Sequence, residues 1–310
     1  MGRSSAIKVT GYSHPLYAQS LAEFGTPLEL PRCGGWILKR QIPGYGDYDG
    51  MGCYPLFTCQ DWSMVEDDLE NVGSQLVSLA LVADPFGRYR ATDLRRWFRD
   101  VVIPFKEHFI VDLRCSPDAV VSEHHLRNAR KALQRIRVEP CTDPNQFLND
   151  WLELYRYLIS RHGISGIAAF SRHAFQYQIA VPGLVAFRAE YEGATVGMVL
   201  WYIQNDVGYY HLGAYSEKGY ELKASFGLFR QAIDYFAASG LRWLDLGAGV
   251  GTASAIDSGL SRFKRGWATS HRTAHFCGRI FNRATYGEIA KAHGSIAINY
   301  FPAYRQGEFS

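Results

Sequence analysis

The chain has 310 residues, 47% of them hydrophobic and 20% charged, with a formal net charge of +3. This balance excludes intrinsic disorder and a collagen-like repeat, and the length suffices for one large core or two modest ones. The opening residues MGRSSAIKVTGYSHPLYAQS hold no unbroken apolar stretch of the signal-peptide kind, and no later run reaches the ~18 apolar residues of a membrane span, so a cytoplasmic protein is expected.

In chain order, Trp36, Leu38 and Arg40 start a short strand, and a Gly-rich loop follows from Pro43 to Gly52. Residues 53–59 and 75–82 are apolar strand candidates. Leu94, Trp97, Phe98 and Val101 recur at helical spacing within 91–102, and 108–113 reads as another strand. A basic helix over 123–135 crosses into the second half. There 147–159 and 169–179 predict helices, while 184–191, 194–203 and 207–214 predict three strands joined by the turns Glu192-Gly193 and Asn205-Asp206, an antiparallel meander. A loop over 215–222 leads into a long helix over 223–238, closed by Gly240, and a strand over 242–246 follows. The result is a mixed α/β protein in which a crossover strand enters beside a meander strand. Where two such strands diverge, the sheet opens a cleft that can hold a linear acyl donor.

The six cysteines, Cys33, Cys53, Cys59, Cys115, Cys141 and Cys277, form no C-x-x-C pair. Reduced thiols are expected, with no metal site. Residues 155–310 carry 16 basic and 10 acidic side chains against 17 and 20 before them, and the stretch 258–287 holds no acidic residue at all. Arg262, Lys264, Arg265, Arg272, Arg279 and Arg283 lie in it, which is either a positive field for phosphates or a solvated basic face. The glycine-rich run from Trp243 to Gly251 is similar to the ligand loop of Rossmann-like S-adenosylmethionine methyltransferases. No acidic residue follows about 20 positions on, and only 59 residues remain after Gly251, so the context opposes that reading.

The longer pattern from Tyr209 onward resembles the FemABX group of the GNAT acyltransferase superfamily. The matching elements are Leu222 to Ser225, Gly240, Asp245 to Gly249, then Gly259, Leu260, Phe263, Lys264 and Trp267; residues 125–131 resemble the family's basic helix. The resemblance implies a tandem GNAT-like fold with mixed sheets and a splayed-strand cleft. Its first half, residues 1–120, would be degenerate and serve the acceptor; residues 121–310 would be the acyltransferase core. It also implies amide-bond formation by an aminoacyltransferase that takes its amino acid from aminoacyl-tRNA as co-substrate, with no tightly bound cofactor, acting as a monomer or weak dimer. The acceptor would be an amine on a peptidoglycan precursor, a small natural product or a peptide.

Acyl transfer to an amine needs a held donor, a stabilised oxyanion and a proton acceptor. By resemblance Lys264 sits at the donor's reactive end with Phe263 packed beneath it. Arg262 and Arg265 are candidates for phosphate contact, and Lys223, Ser225, Gly247 and Gly249 complete the donor side. Asp245 and His211, each expected at a strand end beside the cleft, are alternative general bases. The Gly- and Tyr-rich stretch 34–52 offers Lys39, Arg40, Tyr45 and Tyr48 for the acceptor. The loop over 216–225 has one glycine and two glutamates, without the Gly-x-Gly/Ala of acyl-CoA phosphate loops. Acyl-CoA is therefore the alternative donor, and a silent scaffold that binds a partner or lipid is a third reading.

Overall fold

The computed structural model describes residues 9–116, 118, 121–249, 258–294 and 300–308. Its strands are β1 (Thr26–Leu30), β2 (Gly35–Gln41), β3 (Tyr48–Gly52), β4 (Ser78–Ala83), β5 (Val101–Asp112), β6 (Arg137–Cys141), β7 (Leu184–Tyr191), β8 (Ala194–Gln204), β9 (Val207–Tyr215), β10 (Trp243–Asp245) and β11 (Ser270–Ile280). The helices are α1 (Pro15–Gln19), α2 (Val65–Val72), α3 (Ala91–Trp97), α4 (Glu123–Leu133), α5 (Leu148–His162), α6 (Arg172–Ala180), α7 (Glu217–Glu221), α8 (Ala224–Ala238), α9 (Gly259–Arg265) and α10 (Arg283–Ala292). No helix among the described residues is long and apolar enough to cross a membrane.

All eleven strands join one sheet in the order β1-β2-β3-β4-β11-β5-β10-β9-β8-β7-β6. Each half repeats one plan: an antiparallel meander, a crossover helix, a strand parallel to the meander's last strand, and a final strand. β4 is parallel to β3, and β10 is parallel to β9. The final strands are exchanged. β5 of the first half pairs antiparallel with β10, β11 of the second pairs antiparallel with β4, and β5 and β11 pair with each other at the centre. This is the tandem GNAT-like architecture, and the exchange joins the two halves through a shared sheet. One core, on the Trp243 side, holds Tyr12, Trp151, Phe175 and Tyr202. On the other face Leu244 and Leu246 pack with Trp201, Phe229, Phe236 and Trp267 under α4, α8 and α9. Alternation along β10 therefore turns Asp245 to the first face.

The second-half meander is formed as expected, because Glu192, Gly193 and Asn205 adopt the positive φ that its tight turns require. Elsewhere the structure corrects the reading. Residues 48–52 are β3, not loop: glycine there permits close pairing with β4, since a Cβ on Gly52 would stand 2.5 Å from Leu81. Residues 53–59 form no strand beyond the bridge of Phe57 to Ala83. The helix expected to reach 102 stops at Trp97, and Val101 opens β5. The loop 215–222 contains α7, and α8 starts at Ala224 because Lys223 is left-handed, with φ of 57°. β1, β6, β11, α1, α2 and α10 carry signals the periodicity did not register. All six cysteines are free thiols.

Candidate active site

β9 and β10 pair over three positions only, from Trp243↔Val207 to Asp245↔Tyr209. Beyond them the chain after β10 stays with β5, through Leu246 N–H to Phe109 O at 2.9 Å and Phe109 N–H to Gly247 O at 3.1 Å, while β9 continues along β8 to Tyr215. The sheet therefore forks past Asp245 and Tyr209, at the position where a splayed cleft was expected.

Lys264 crosses this fork from α9, whose first turn is capped by Ser258 Oγ accepting from Ser261 N–H. The side chain is buried, with Nζ donating to Ala248 O at 2.6 Å and lying 5.6 Å from the centre of the Tyr210 ring. Gly247, with φ of +71°, leaves room for it, since a Cβ there would lie 3.3 Å from Nζ. Burial pushes the ammonium down to about 8, opposed by attraction to Asp245 and aided by repulsion from Lys106. The neighbouring Phe263 ring packs on Phe226 and Phe229, and its carbonyl accepts from His125 Nε2 at 2.9 Å. That bond places the His125 proton on Nε2, so Nδ1 accepts from Ser122 Oγ. α4 thereby anchors α9.

Asp245 is buried and accepts from Gly247 N–H at 2.7 Å and from His108 Nδ1 at 2.9 Å. His211 lies two residues beyond Tyr209, where the fork opens, but not at a strand end as expected. It is mid-strand in the first-face core, bonded to Tyr12 OH at 3.2 Å and Gln178 Oε1 at 3.1 Å, and burial pushes its pKa down to about 3. Both ring nitrogens are engaged with the core and not with Asp245.

Of the remaining donor-side residues, Gly247 and Gly249 lie against Lys264 and its helix α9. Arg262 and Arg265 are exposed on α9. Gly249 packs against Ser261, where a Cβ would collide with its hydroxyl. Ser225 is half-buried in the first turn of α8, and exposed Lys223 donates to Asn128 Oδ1 at 2.8 Å. Val250 and Gly251, the end of the glycine-rich run, lie outside the described residues. The basic stretch divides in space: Arg279 pairs with Glu70, Arg283 pairs with Asp100, and Arg272 stacks 4.1 Å over Phe86. Arg262 and Arg265 of α9 are exposed, as are Arg127, Arg130 and Lys131 of α4, the helix that meets α9 through His125 and the Phe263 carbonyl.

The amides before α8 are already engaged. Gly219 N–H donates to Ser216 Oγ, Tyr220 N–H to Ser216 O, Leu222 N–H to Lys218 O and Lys223 N–H to Tyr220 O, all within α7 and its cap. Gly219 is a packing residue, since a Cβ would collide with the Val196 carbonyl.

The acceptor-side residues are not brought to the fork. Four strands separate β2 from β10, roughly 24 Å at normal strand spacing. Lys39 Nζ lies 4.7 Å over the Tyr48 ring, and Tyr48 lines a cavity of about 580 Å³ with Gln75 and Phe281. Arg40 forms an ion pair with Glu308, and Tyr45 packs against Ile42 and tilts over His293. Sequence reasoning missed His108, Tyr210 and His125. A histidine opening an apolar strand was the only trace of the first, because its partner Asp245 belongs to the other half.

The family model described as an acetyltransferase (GNAT) domain matches residues 122–280. Among solved structures the fold is similar to FemX, with 14% identity, 82% of this chain and 86% of that chain covered, and a TM-score of 0.63. It is also similar to the C-terminal domain of a putative lysylphosphatidylglycerol synthetase from Agrobacterium fabrum, with 11% identity, coverage of 87% and 88%, and a TM-score of 0.59. L-PGS from Bacillus licheniformis matches at 14% identity over 89% and 95%, with a TM-score of 0.56. Against curated proteins the sequence has no match.

Proposed function

The chain belongs to the acetyltransferase (GNAT) domain family, and from that premise we propose that this acyltransferase moves an aminoacyl group from aminoacyl-tRNA to an amine acceptor. The observation that carries the donor assignment is the engaged loop before α8. An acyl-CoA diphosphate needs vacant N–H groups at that turn, and here those of Gly219, Tyr220, Leu222 and Lys223 are committed to α7 and its cap. The exposed arginines of α9 and α4 instead offer separated positive charges suited to the phosphates of a polynucleotide. The terminal ester of the donor would enter the β9/β10 fork. There Lys264, positive at neutral pH and shielded from water, stabilises the oxyanion as the amine attacks. Phe263 and His125 hold α9 so that Lys264 reaches the fork.

The second reading, an acyl-CoA-dependent N-acyltransferase, draws on the description of the matching family as acetyltransferases. One assay separates them. Purified protein is offered a pool of charged tRNA and then acetyl-CoA, each with an amine acceptor, with and without ribonuclease. Ribonuclease-sensitive transfer that weakens with salt is expected, and Lys264→Ala lowers it ~10²-fold or more. Ribonuclease-insensitive turnover of acetyl-CoA overturns the tRNA assignment in favour of the second reading.

A further inference from the structure

Acyl transfer to an amine releases a proton, and Lys264, already protonated at neutral pH, is not placed to take it. A different pair is. β5 pairs antiparallel with β10 in the register Asp245↔Ile110, which makes His108 the diagonal neighbour of Asp245. The two carboxylate oxygens lie 3.0 and 2.9 Å from His108 Nδ1. A carboxylate only accepts, so Nδ1 carries a proton, and in the neutral ring Nε2 then carries the lone pair. Asp245 is itself fixed by the Gly247 N–H. Among the described residues Nε2 has no hydrogen-bond partner, and the side chain keeps 8% of its surface exposed. The charged groups around this pair are Arg272, opposite His108 on β11, Lys264, which Asp245 attracts and Lys106 repels, and Asp84, which bonds Tyr209 and repels the charge of Asp245.

We infer that His108, oriented by Asp245, is the general base of the transfer, so that the catalytic pair is assembled from both halves of the chain. This rests on the acyl-transfer reading and not on the donor's identity. As the amine lone pair forms the C–N bond, the amine proton passes to His108 Nε2. The tetrahedral intermediate then collapses, the bond from carbon to the leaving oxygen (or sulfur, for a thioester) breaks, and the imidazolium returns the proton to the leaving atom. No further reactant is needed.

The test is single-turnover transfer to two nucleophiles at pH 7, a simple alkylamine that is mostly protonated and hydroxylamine that is mostly neutral, with the uncatalysed rate subtracted. His108→Gln is expected to lose about 10²- to 10⁴-fold with the alkylamine and less than about 10-fold with hydroxylamine, because the adduct of the weakly basic hydroxylamine is acidic enough to release its proton to water, whereas the alkylamine adduct needs a positioned base. Asp245→Asn should show the same split. Equal losses with both nucleophiles would reduce His108 to a structural residue and overturn the inference. Nitrogen-15 NMR of the imidazole gives a second readout: an Nδ1–H tautomer perturbed by Asp245→Asn supports the pair, and an Nε2–H ring in the wild type refutes it. Wild-type protein that transfers from neither charged tRNA nor acetyl-CoA defeats the acyl-transfer reading itself, a failure distinct from loss of the split in an active enzyme.

Discussion

In the first half β3 and β4 run parallel through Gly50↔Leu79 and Met51↔Ala80 and then part, and the chain returns to close the gap. Phe57 N–H donates to Val82 O and Phe57 O accepts from Asp84 N–H, so backbone fills the first fork as a short added strand would. In the second half β9 and β10 part in the same way, but among the described residues the fork is crossed by the side chain of Lys264. A fork closed by main-chain hydrogen bonds has its edge groups already satisfied. One crossed by a lysine can admit an extended ligand at the cost of a rotamer change. The degeneracy of the first half thus has a physical form, a plug made by the segment that leads to Phe57.

The largest test of this contrast is to remove the side chain that anchors the plug, leaving its main-chain bonds in place. Phe57 is buried beside Trp62, and Phe57→Ala should lower the stability by about 3–5 kcal/mol in urea unfolding, as for other buried aromatics. A loss below about 1 kcal/mol would mean that the first fork does not depend on its filling. The second fork should respond in the opposite direction. Lys264 has its pKa lowered to about 8 from an ordinary 10.5, so between those values the unfolded chain binds more protons than the folded one. Its burial therefore weakens the fold fully below pH 8, and the penalty is relieved as pH rises through 10.5. Lys264→Met should raise stability at pH 7 by up to about 3 kcal/mol and flatten that pH dependence, while transfer falls ~10²-fold. A destabilised Lys264→Met protein would show that the lysine is structural, like Phe57.

The smallest effect concerns Asp84, where the first fork ends. Burial raises its carboxyl to about 6, against the Phe86 N–H and Tyr209 hydroxyl that stabilise the anion. The folded state thus holds a proton that the unfolded chain releases above 3.8. The resulting stability is full below that value and lost as pH rises through 6. Asp84→Asn should abolish this slope, a change of up to about 3 kcal/mol across the interval in calorimetric scans at several pH values. An unchanged slope would assign it to another group.

Much of the second half was legible because its elements follow simple periods and its turns fall on Gly and Asn. β11 was not. A central strand usually reads as an apolar run, whereas SHRTAHFCGRI is studded with cations. Those cations find partners far away in sequence: Arg279 binds Glu70 and the Trp97 carbonyl, and Arg272 lies between Phe86 and Trp243. β3 was hidden by glycines that look like loop and serve close strand packing. At the site, Lys264 could be found through its motif, because α9 is local. His108 could not, because the contact with Asp245 exists only once strands from both halves are paired.

The exchange of β5 and β11 also sets an order on biosynthesis. Ala83 of β4 pairs with His275, and Val101 of β5 pairs with Gly278. At ribosomal speeds of roughly 5–20 residues per second, both strands emerge many seconds before their partner exists. During that interval one edge of β4 and both edges of β5 lack their partners in a nascent chain, the kind of template that invites aggregation. Translation rate and chaperone supply should therefore govern the yield of this protein more than its final stability does.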